Sequence, residues 1–177
     1  MNLLHGRTAM ADDDLDLLRA MVQDMETYIE IGTLWGGSVI TAALANEKLQ
    51  CVCIDPFQGY YGGIDKWSED SYPTFNKVLQ NITAAGLSAR IALVQGYSKP
   101  FPMPRGYQFD CGLIDGDHTP EMVKHDWGCL VEHGCKRIAA HDIDDPDVEQ
   151  ALWECVDDGW AVFGETERMR VYERIRA

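Results

Sequence analysis

The chain has 177 residues, enough for one domain with its own core and too short for two comfortable ones. Its 29 acidic and 15 basic residues give a formal net charge of −14, which repels the phosphate backbone of nucleic acids. No stretch approaches the roughly 18 consecutive apolar residues of a membrane span.

The cysteines and the N-terminus indicate a cytoplasmic protein. The first 14 residues have no apolar core of the kind found in a signal peptide. The six cysteines contain no C-x-x-C pair, and most lie in apolar segments, so we expect free thiols in a reducing compartment rather than disulfides or a zinc site.

Helices and strands are predicted to alternate along the chain. A helix over residues 15–25 precedes a strand over 28–31, and a glycine-rich turn leads into a helix over 38–46. The remaining elements follow from apolar spacing and turn residues: strand 51–54, helix 75–85, strands 91–94 and 111–114, helix 121–132, strand 137–140, helix 148–155, and strands 160–163 and 168–172.

This order predicts an α/β fold with three layers. Strands separated by helices form a parallel sheet covered on both faces, and the last two of the seven strands, which lack a helix between them, form an antiparallel hairpin. Pro100, Pro102 and Pro104 disfavour a helix between strands 91–94 and 111–114. We expect a single domain over residues 1–177, with an N-terminal helical segment at 1–27 and an aromatic-rich loop at 56–73 that covers the substrate.

The first candidate site is the loop from Glu30 to Ser38, where a strand ends in a glycine-rich turn and a helix opens. Bare backbone and a helix N-terminus at such a turn suit an anionic or polar ligand. Its glycines stand at positions 32, 36 and 37 and do not match G-x-G-x-x-G, which argues against a nicotinamide dinucleotide. The alternative is a purely structural turn with Ser38 as the helix N-cap.

Three further strand ends carry polar side chains. Asp55 suits a ribose diol, although an Asx-turn before Pro56 is the alternative. Asp115 and His118 follow one central strand, and His141 with Asp142 follow the next. Asp115, His141 and Asp142 together predict a site for Mg²⁺ or another divalent cation, the alternative being ordinary turn and capping chemistry.

The motifs E-I-G-x-x-x-G-G-S, I-D-P and I-D-G-D-H together resemble those of the class I methyltransferases. More narrowly, they resemble the branch that groups small O-methyltransferases with cephalosporin-hydroxylase-like proteins. The resemblance covers roughly residues 28–142 and implies a Rossmann-like sheet that binds S-adenosylmethionine. The cofactor-binding residues that it implies are Glu30, Gly32, Thr33, Gly36, Gly37, Ser38, Asp55, Gln95, Gly96, Tyr97, Ser98 and Asp115.

The resemblance also implies the chemistry. Glu30, Gly32 and Ser38 fall around the methionine part of the cofactor, and the residues from Gln95 to Ser98 fall near the adenine. His118 stands where relatives carry their base, so His118 and Asp115 are the predicted catalytic residues. His141 is a softer metal ligand than the acid that relatives have there.

The expected activity is methyl transfer to a hydroxyl group of a small molecule, with the help of a divalent metal left open. Two alternatives remain at this point: a non-catalytic cofactor-binding protein, and a nicotinamide-dependent oxidoreductase on a similar sheet. No nucleic acid and no membrane are expected as partners, and a homodimer stays open.

Overall fold

The computed structural model describes residues 3–58 and 72–175. In these ranges the helices are α1 (Asp12–Met21), α2 (Gly37–Ala45), α3 (Phe75–Ala84), α4 (Pro120–Glu132) and α5 (Pro146–Cys155). The strands are β1 (Thr27–Ile31), β2 (Gln50–Asp55), β3 (Ile91–Gln95), β4 (Cys111–Ile114), β5 (Arg137–His141), β6 (Trp160–Glu165) and β7 (Met169–Arg174).

The strands form one seven-stranded sheet in the order β3-β2-β1-β4-β5-β7-β6. The first five strands in the chain pair in parallel, while β7 runs antiparallel to both β5 and β6. The predicted mostly parallel sheet with an antiparallel C-terminal hairpin is confirmed. Because parallel strands end at the same edge, the polar residues that follow β1, β2, β4 and β5 all lie along one side of the molecule.

Helices cover both faces of the sheet and complete three layers. Leu18 of α1, Ile40 of α2 and Ile82 of α3 are buried in one apolar core, and Leu130 of α4 and Leu152 of α5 are buried in a second core on the opposite face. Every residue of β5 is buried, as expected for a strand that is covered on both sides. The structure is the predicted Rossmann-like α/β sandwich.

Some boundaries differ from the prediction. Helix α1 begins at Asp12, since its three acids occupy the first turn, where the helix dipole favours negative charge. It ends at Met21, because Val22 and Met25 are buried by the turn after the helix and not by the helix itself. Helices α4 and α5 each begin at a proline, a residue that fits the first helical position.

Two other expectations concern segments outside the helices and strands. Residues 96–110, between β3 and β4, contain no helix, in line with their prolines. Most of the loop predicted at residues 56–73 lies outside the described residues. Within the described ranges no helix is long and apolar enough to cross a bilayer, and all six cysteines there are free thiols.

Candidate active site

The glycine-rich turn lies directly against the end of β4. Gly32 and Gly36 have φ angles of 87° and 81°, in the left-handed region that favours glycine. A Cβ at Gly32 would lie 2.0 Å from the carbonyl oxygen of Asp115, so no side chain fits there. The Asp115 amide also donates to the Ile31 carbonyl at 2.8 Å. The glycine turn and Asp115 therefore form one continuous wall of the site.

Ser38 does not cap the helix that follows this turn. The N-cap of α2 is Gly36, and the helix begins at Gly37. The structural alternative that assigned the N-cap to Ser38 is therefore wrong by two residues. Ser38 is instead buried within the first turn of α2 and lowers the pKa of Glu30 through a side-chain hydrogen bond.

Asp55 forms the predicted Asx-turn and also contacts the glycine turn. Its Oδ1 accepts from the Phe57 amide at 2.6 Å, which is the Asx-turn. Its Oδ2 accepts from the backbone amides of Thr33 and Leu34 at 2.7 and 3.0 Å. Asp55 thus ties the end of β2 to the glycine turn and helps to hold Leu34 at a φ of 48°. The ribose assignment stays a prediction.

Glu30 is a fully buried carboxyl group on β1. Its Oε2 accepts from the Tyr28 hydroxyl at 2.8 Å, and its Oε1 has no well-aligned hydrogen-bond partner among the described residues. Burial raises the pKa of Glu30 to about 8, although Ser38 and Tyr28 lower it in part. Glu30 is therefore largely a neutral acid at neutral pH in the free protein.

The residues predicted near the adenine lie at the end of β3. Gln95 and Tyr97 are exposed, and Ser98 is buried. Asp126 of α4, which the sequence did not single out, lies close by with both carboxylate oxygens buried and without a well-aligned partner among the described residues. Burial raises the pKa of Asp126 to about 6, and a hydrogen bond from Ser98 lowers it in part.

Beside the glycine turn, Asp115, His118 and Asp142 form a compact cluster. Each offers one ligand atom, and these atoms lie within 4.8 Å of one another. His118 Nε2 lies 3.2 Å from Asp142 Oδ2, while Asp142 Oδ1 accepts a hydrogen bond from the Arg168 guanidinium. Asp142 has a φ of 56°, an uncommon value for a residue other than glycine. In this conformation its carboxylate contacts both His118 and Arg168.

His141 lies underneath this cluster and is 4% exposed. Its Nδ1 is 3.2 Å from Asp115 Oδ1 and 3.3 Å from Asp142 Oδ2, without a well-aligned hydrogen bond among the described residues. Its Nε2 is 3.3 Å from Asp14 Oδ2. Burial lowers the pKa of His141, but Asp115 and Asp14 outweigh that effect and raise it above the ordinary value.

An N-terminal segment, residues 3–11, lies across the glycine turn. The His5 amide donates to Asn81 Oδ1 at 2.7 Å, and Asn81 Nδ2 donates to the carbonyls of His5 and Trp35. A Cβ on Gly37 would lie 2.6 Å from the Cβ of Thr8. Between this segment and the glycine turn a crevice of about 20 Å³ remains, whose lining includes Arg7, Thr33, Ser38 and Asp115.

Sequence reasoning missed the roles of Asp14, Asp126 and Arg168. Asp14 contacts His141, a residue 127 positions away in the chain. Arg168 belongs to a basic stretch near the C-terminus and pairs across 26 positions. No local pattern marks such contacts, because they depend on how the sheet brings distant segments together.

Comparison with known proteins gives one family match. A family model described as a methyltransferase domain matches residues 29–141, which is more than half of the chain. This stretch runs from β1 to the last residue of β5 and contains most of the strand-end residues described above. No curated protein matches the chain.

Solved structures with the same fold include complexes with SAH and with SAM. The O-methyltransferase from Bacillus cereus in complex with SAH has a TM-score of 0.68 at 16% identity, over 93% of this chain and 82% of that one. The O-methyltransferase TomG from Streptomyces achromogenes, in complex with SAM, has a TM-score of 0.64 at 15% identity, over 94% and 81%. A cofactor-bound protein from MTB has a TM-score of 0.69 at 17% identity, over 97% and 84%. At these identities the likeness concerns the fold.

Proposed function

Since the chain belongs to the methyltransferase-domain family, we propose that it transfers a methyl group from S-adenosylmethionine to a hydroxyl group of a small molecule. One observation carries the proposal: a base candidate and two carboxylates, His118, Asp115 and Asp142, converge beside a glycine turn that packs directly against the end of β4. The cofactor supplies an electrophilic methyl group, so the chain's own task is to orient the acceptor oxygen and to remove its proton.

The glycine turn fits the amino-acid part of the cofactor. Glu30 Oε1 and Thr33 Oγ1 are buried without a well-aligned partner among the described residues, and both lie at the carboxyl edge of β1. An ammonium group would satisfy Glu30, and a carboxylate would suit the N-terminus of α2. Asp55 would bind the ribose and the residues from Gln95 to Ser98 the adenine, as the resemblance implies.

Proton removal falls to His118. Asp142 Oδ2, 3.2 Å from His118 Nε2, favours the tautomer that carries its hydrogen on Nε2. Nδ1, which lies 4.0 Å from Asp145 Oδ2, is then the nitrogen that would accept the proton of the acceptor hydroxyl. Arg168 holds the Asp142 carboxylate from the other side and so keeps this histidine oriented. A positioned base of this kind typically contributes about 10²–10⁴-fold in rate.

The same cluster also fits a divalent cation. Asp115, His118 and Asp142 supply one nitrogen and two carboxylate oxygens within 4.8 Å. His141 Nδ1, which has no well-aligned hydrogen bond among the described residues, lies next to both carboxylates. A divalent ion held there would lower the pKa of the acceptor hydroxyl. His118 cannot be both a metal ligand and the base, so the two routes predict opposite responses to a chelator.

Calorimetry and an acceptor screen test the proposal. We expect micromolar binding of S-adenosylhomocysteine, no comparable binding of NAD, and methyl transfer to one member of a panel of phenols, catechols and sugar hydroxyls. Tighter binding of NAD than of S-adenosylhomocysteine would refute it. Loss of turnover in EDTA that returns with added metal supports the metal route, and full turnover in EDTA supports His118 as the base.

The net charge of the chain and its buried cysteines support the expected class of acceptor and the expected compartment. The net charge of −14 supports a small-molecule acceptor over a nucleic acid. Five of the six free cysteines are buried, which supports a reducing compartment, and we place the protein in the cytoplasm on that basis.

A further inference from the structure

Asp14 is a buried carboxylate, 1% exposed, in the first turn of α1. It has three hydrogen-bonding neighbours from separate parts of the chain. Its Oδ2 accepts from the Ala11 amide at 3.2 Å and lies 3.3 Å from His141 Nε2, and its Oδ1 accepts from the Thr166 hydroxyl. An ionised carboxylate can only accept hydrogens, so His141 Nε2 must carry one to make this contact favourable.

The consequence appears at the other nitrogen of the same ring. With its hydrogen on Nε2, a neutral His141 has a bare Nδ1, which faces Asp115 Oδ1 and Asp142 Oδ2 at 3.2 and 3.3 Å. A lone pair between two carboxylate oxygens is unfavourable unless a proton or a metal cation lies among them. A cation at this point would satisfy all three groups together.

We propose that Asp14 is a positioning residue that fixes His141 with Nδ1 towards the cleft, so that His141 completes a two-nitrogen, two-carboxylate set with His118, Asp115 and Asp142. This inference rests on the metal route of the proposed function. A set with two imidazoles favours a transition metal such as Mn²⁺ or Zn²⁺ over Mg²⁺, which prefers oxygen ligands. Carboxylates that hold the distal nitrogen of a metal-binding histidine orient the ring in this way.

The test measures metal binding without turnover. Mn²⁺ affinity is determined by electron paramagnetic resonance, and bound histidine nitrogens are counted by spin-echo modulation on ¹⁵N-histidine-labelled protein. We expect two nitrogens in the wild type and a preference for Mn²⁺ over Mg²⁺. Asp14→Ala should weaken Mn²⁺ binding about 10- to 100-fold and leave one nitrogen. Asp14→Asn, whose amide oxygen can accept the same hydrogen, should retain both nitrogens.

Asp16→Ala is the matched control, because Asp16 is an exposed acid on the same helix and pairs only with Arg19 among the described residues. It should bind Mn²⁺ like the wild type. Wild-type affinity and two nitrogens in Asp14→Ala would overturn the proposal. If that variant does not fold, ¹⁵N NMR of the Zn²⁺-loaded wild type decides: a hydrogen on Nε2 of His141 supports the proposal, and one on Nδ1 overturns it.

Failure of this inference can be told apart from failure of the proposed function. A wild type that binds no Mn²⁺ or Zn²⁺ overturns the inference together with the metal route. S-adenosylhomocysteine binding, measured by calorimetry on the same samples, then shows whether the cofactor site of the proposed function still stands.

Discussion

Cofactor binding should release a proton from Glu30. In the free protein this buried carboxyl group has a pKa of about 8 and is largely neutral below that pH. An ammonium group next to it favours the carboxylate, so the affinity for S-adenosylhomocysteine should rise as the pH rises towards 8. If the pKa in the complex lies well below 6, the affinity should increase about 50-fold between pH 6 and pH 8.

Folding stability should change in the opposite direction. The folded state holds the proton of Glu30 up to a pKa of about 8, and the unfolded state releases it near 4.5. The contribution of Glu30 to the free energy of unfolding is therefore fully present below pH 4.5 and is lost as the pH rises through 8. The loss between pH 6 and pH 8 is about 2 kcal/mol. Glu30→Gln, which is always neutral, should remove this part of the pH dependence.

Calorimetry at several pH values measures the first effect, and urea unfolding at the same pH values measures the second. Glu30→Gln is the control protein, and 5′-methylthioadenosine, which lacks the amino-acid part, is the control ligand. Both controls should show a nearly flat affinity over this range. A flat profile in the wild type, or an equal slope in Glu30→Gln, would show that Glu30 does not face the cofactor's ammonium group.

Three further variants test other parts of the site, and a fourth, at Gly128, is the control for the third. Asp55→Ala should weaken S-adenosylhomocysteine binding by about 1–3 kcal/mol, since it removes a charged acceptor, and an unchanged dissociation constant by calorimetry would remove the ribose assignment. His118→Ala should lower kcat by about 10²–10⁴-fold with cofactor affinity nearly intact. A wild-type kcat in this variant would mean that His118 lines the pocket but is not the base. Gly37→Ala should lower the melting temperature, because its Cβ would lie 2.6 Å from the Cβ of Thr8. Gly128→Ala, a helical position with nothing within 4 Å, should instead stabilise the protein by about 0.5–1 kcal/mol, and equal melting temperatures for the two would contradict this account.

The fold was largely predictable because its signals are local. Apolar runs and helical spacing predict all seven strands and the order of the helices, and the resemblance to class I methyltransferases is confirmed by the family match over residues 29–141. Helix ends were less accurate, as at α1, because burial of Val22 and Met25 continues into the turn and mimics a longer helix.

The site was predictable only as a set of strand ends. The sequence places Asp115, His118, His141 and Asp142 at one edge, and the structure brings all four together. It could not indicate which histidine nitrogen faces the cleft, since that depends on Asp14, 127 positions from His141. The predicted ligands Asp115, His141 and Asp142 stay a prediction, as does the role of His118.

The N-terminal segment has a consequence for the kinetics of cofactor exchange. The crevice that it leaves above the glycine turn is about 20 Å³, room for roughly one water molecule. At the proposed cofactor site the amino-acid end of S-adenosylmethionine needs more room than this, so we expect residues around Arg7 and Thr8 to move when the cofactor enters and leaves. We expect the hydrogen bonds between His5 and Asn81 to break in this step. In many enzymes such an opening, rather than the chemistry, sets the turnover rate.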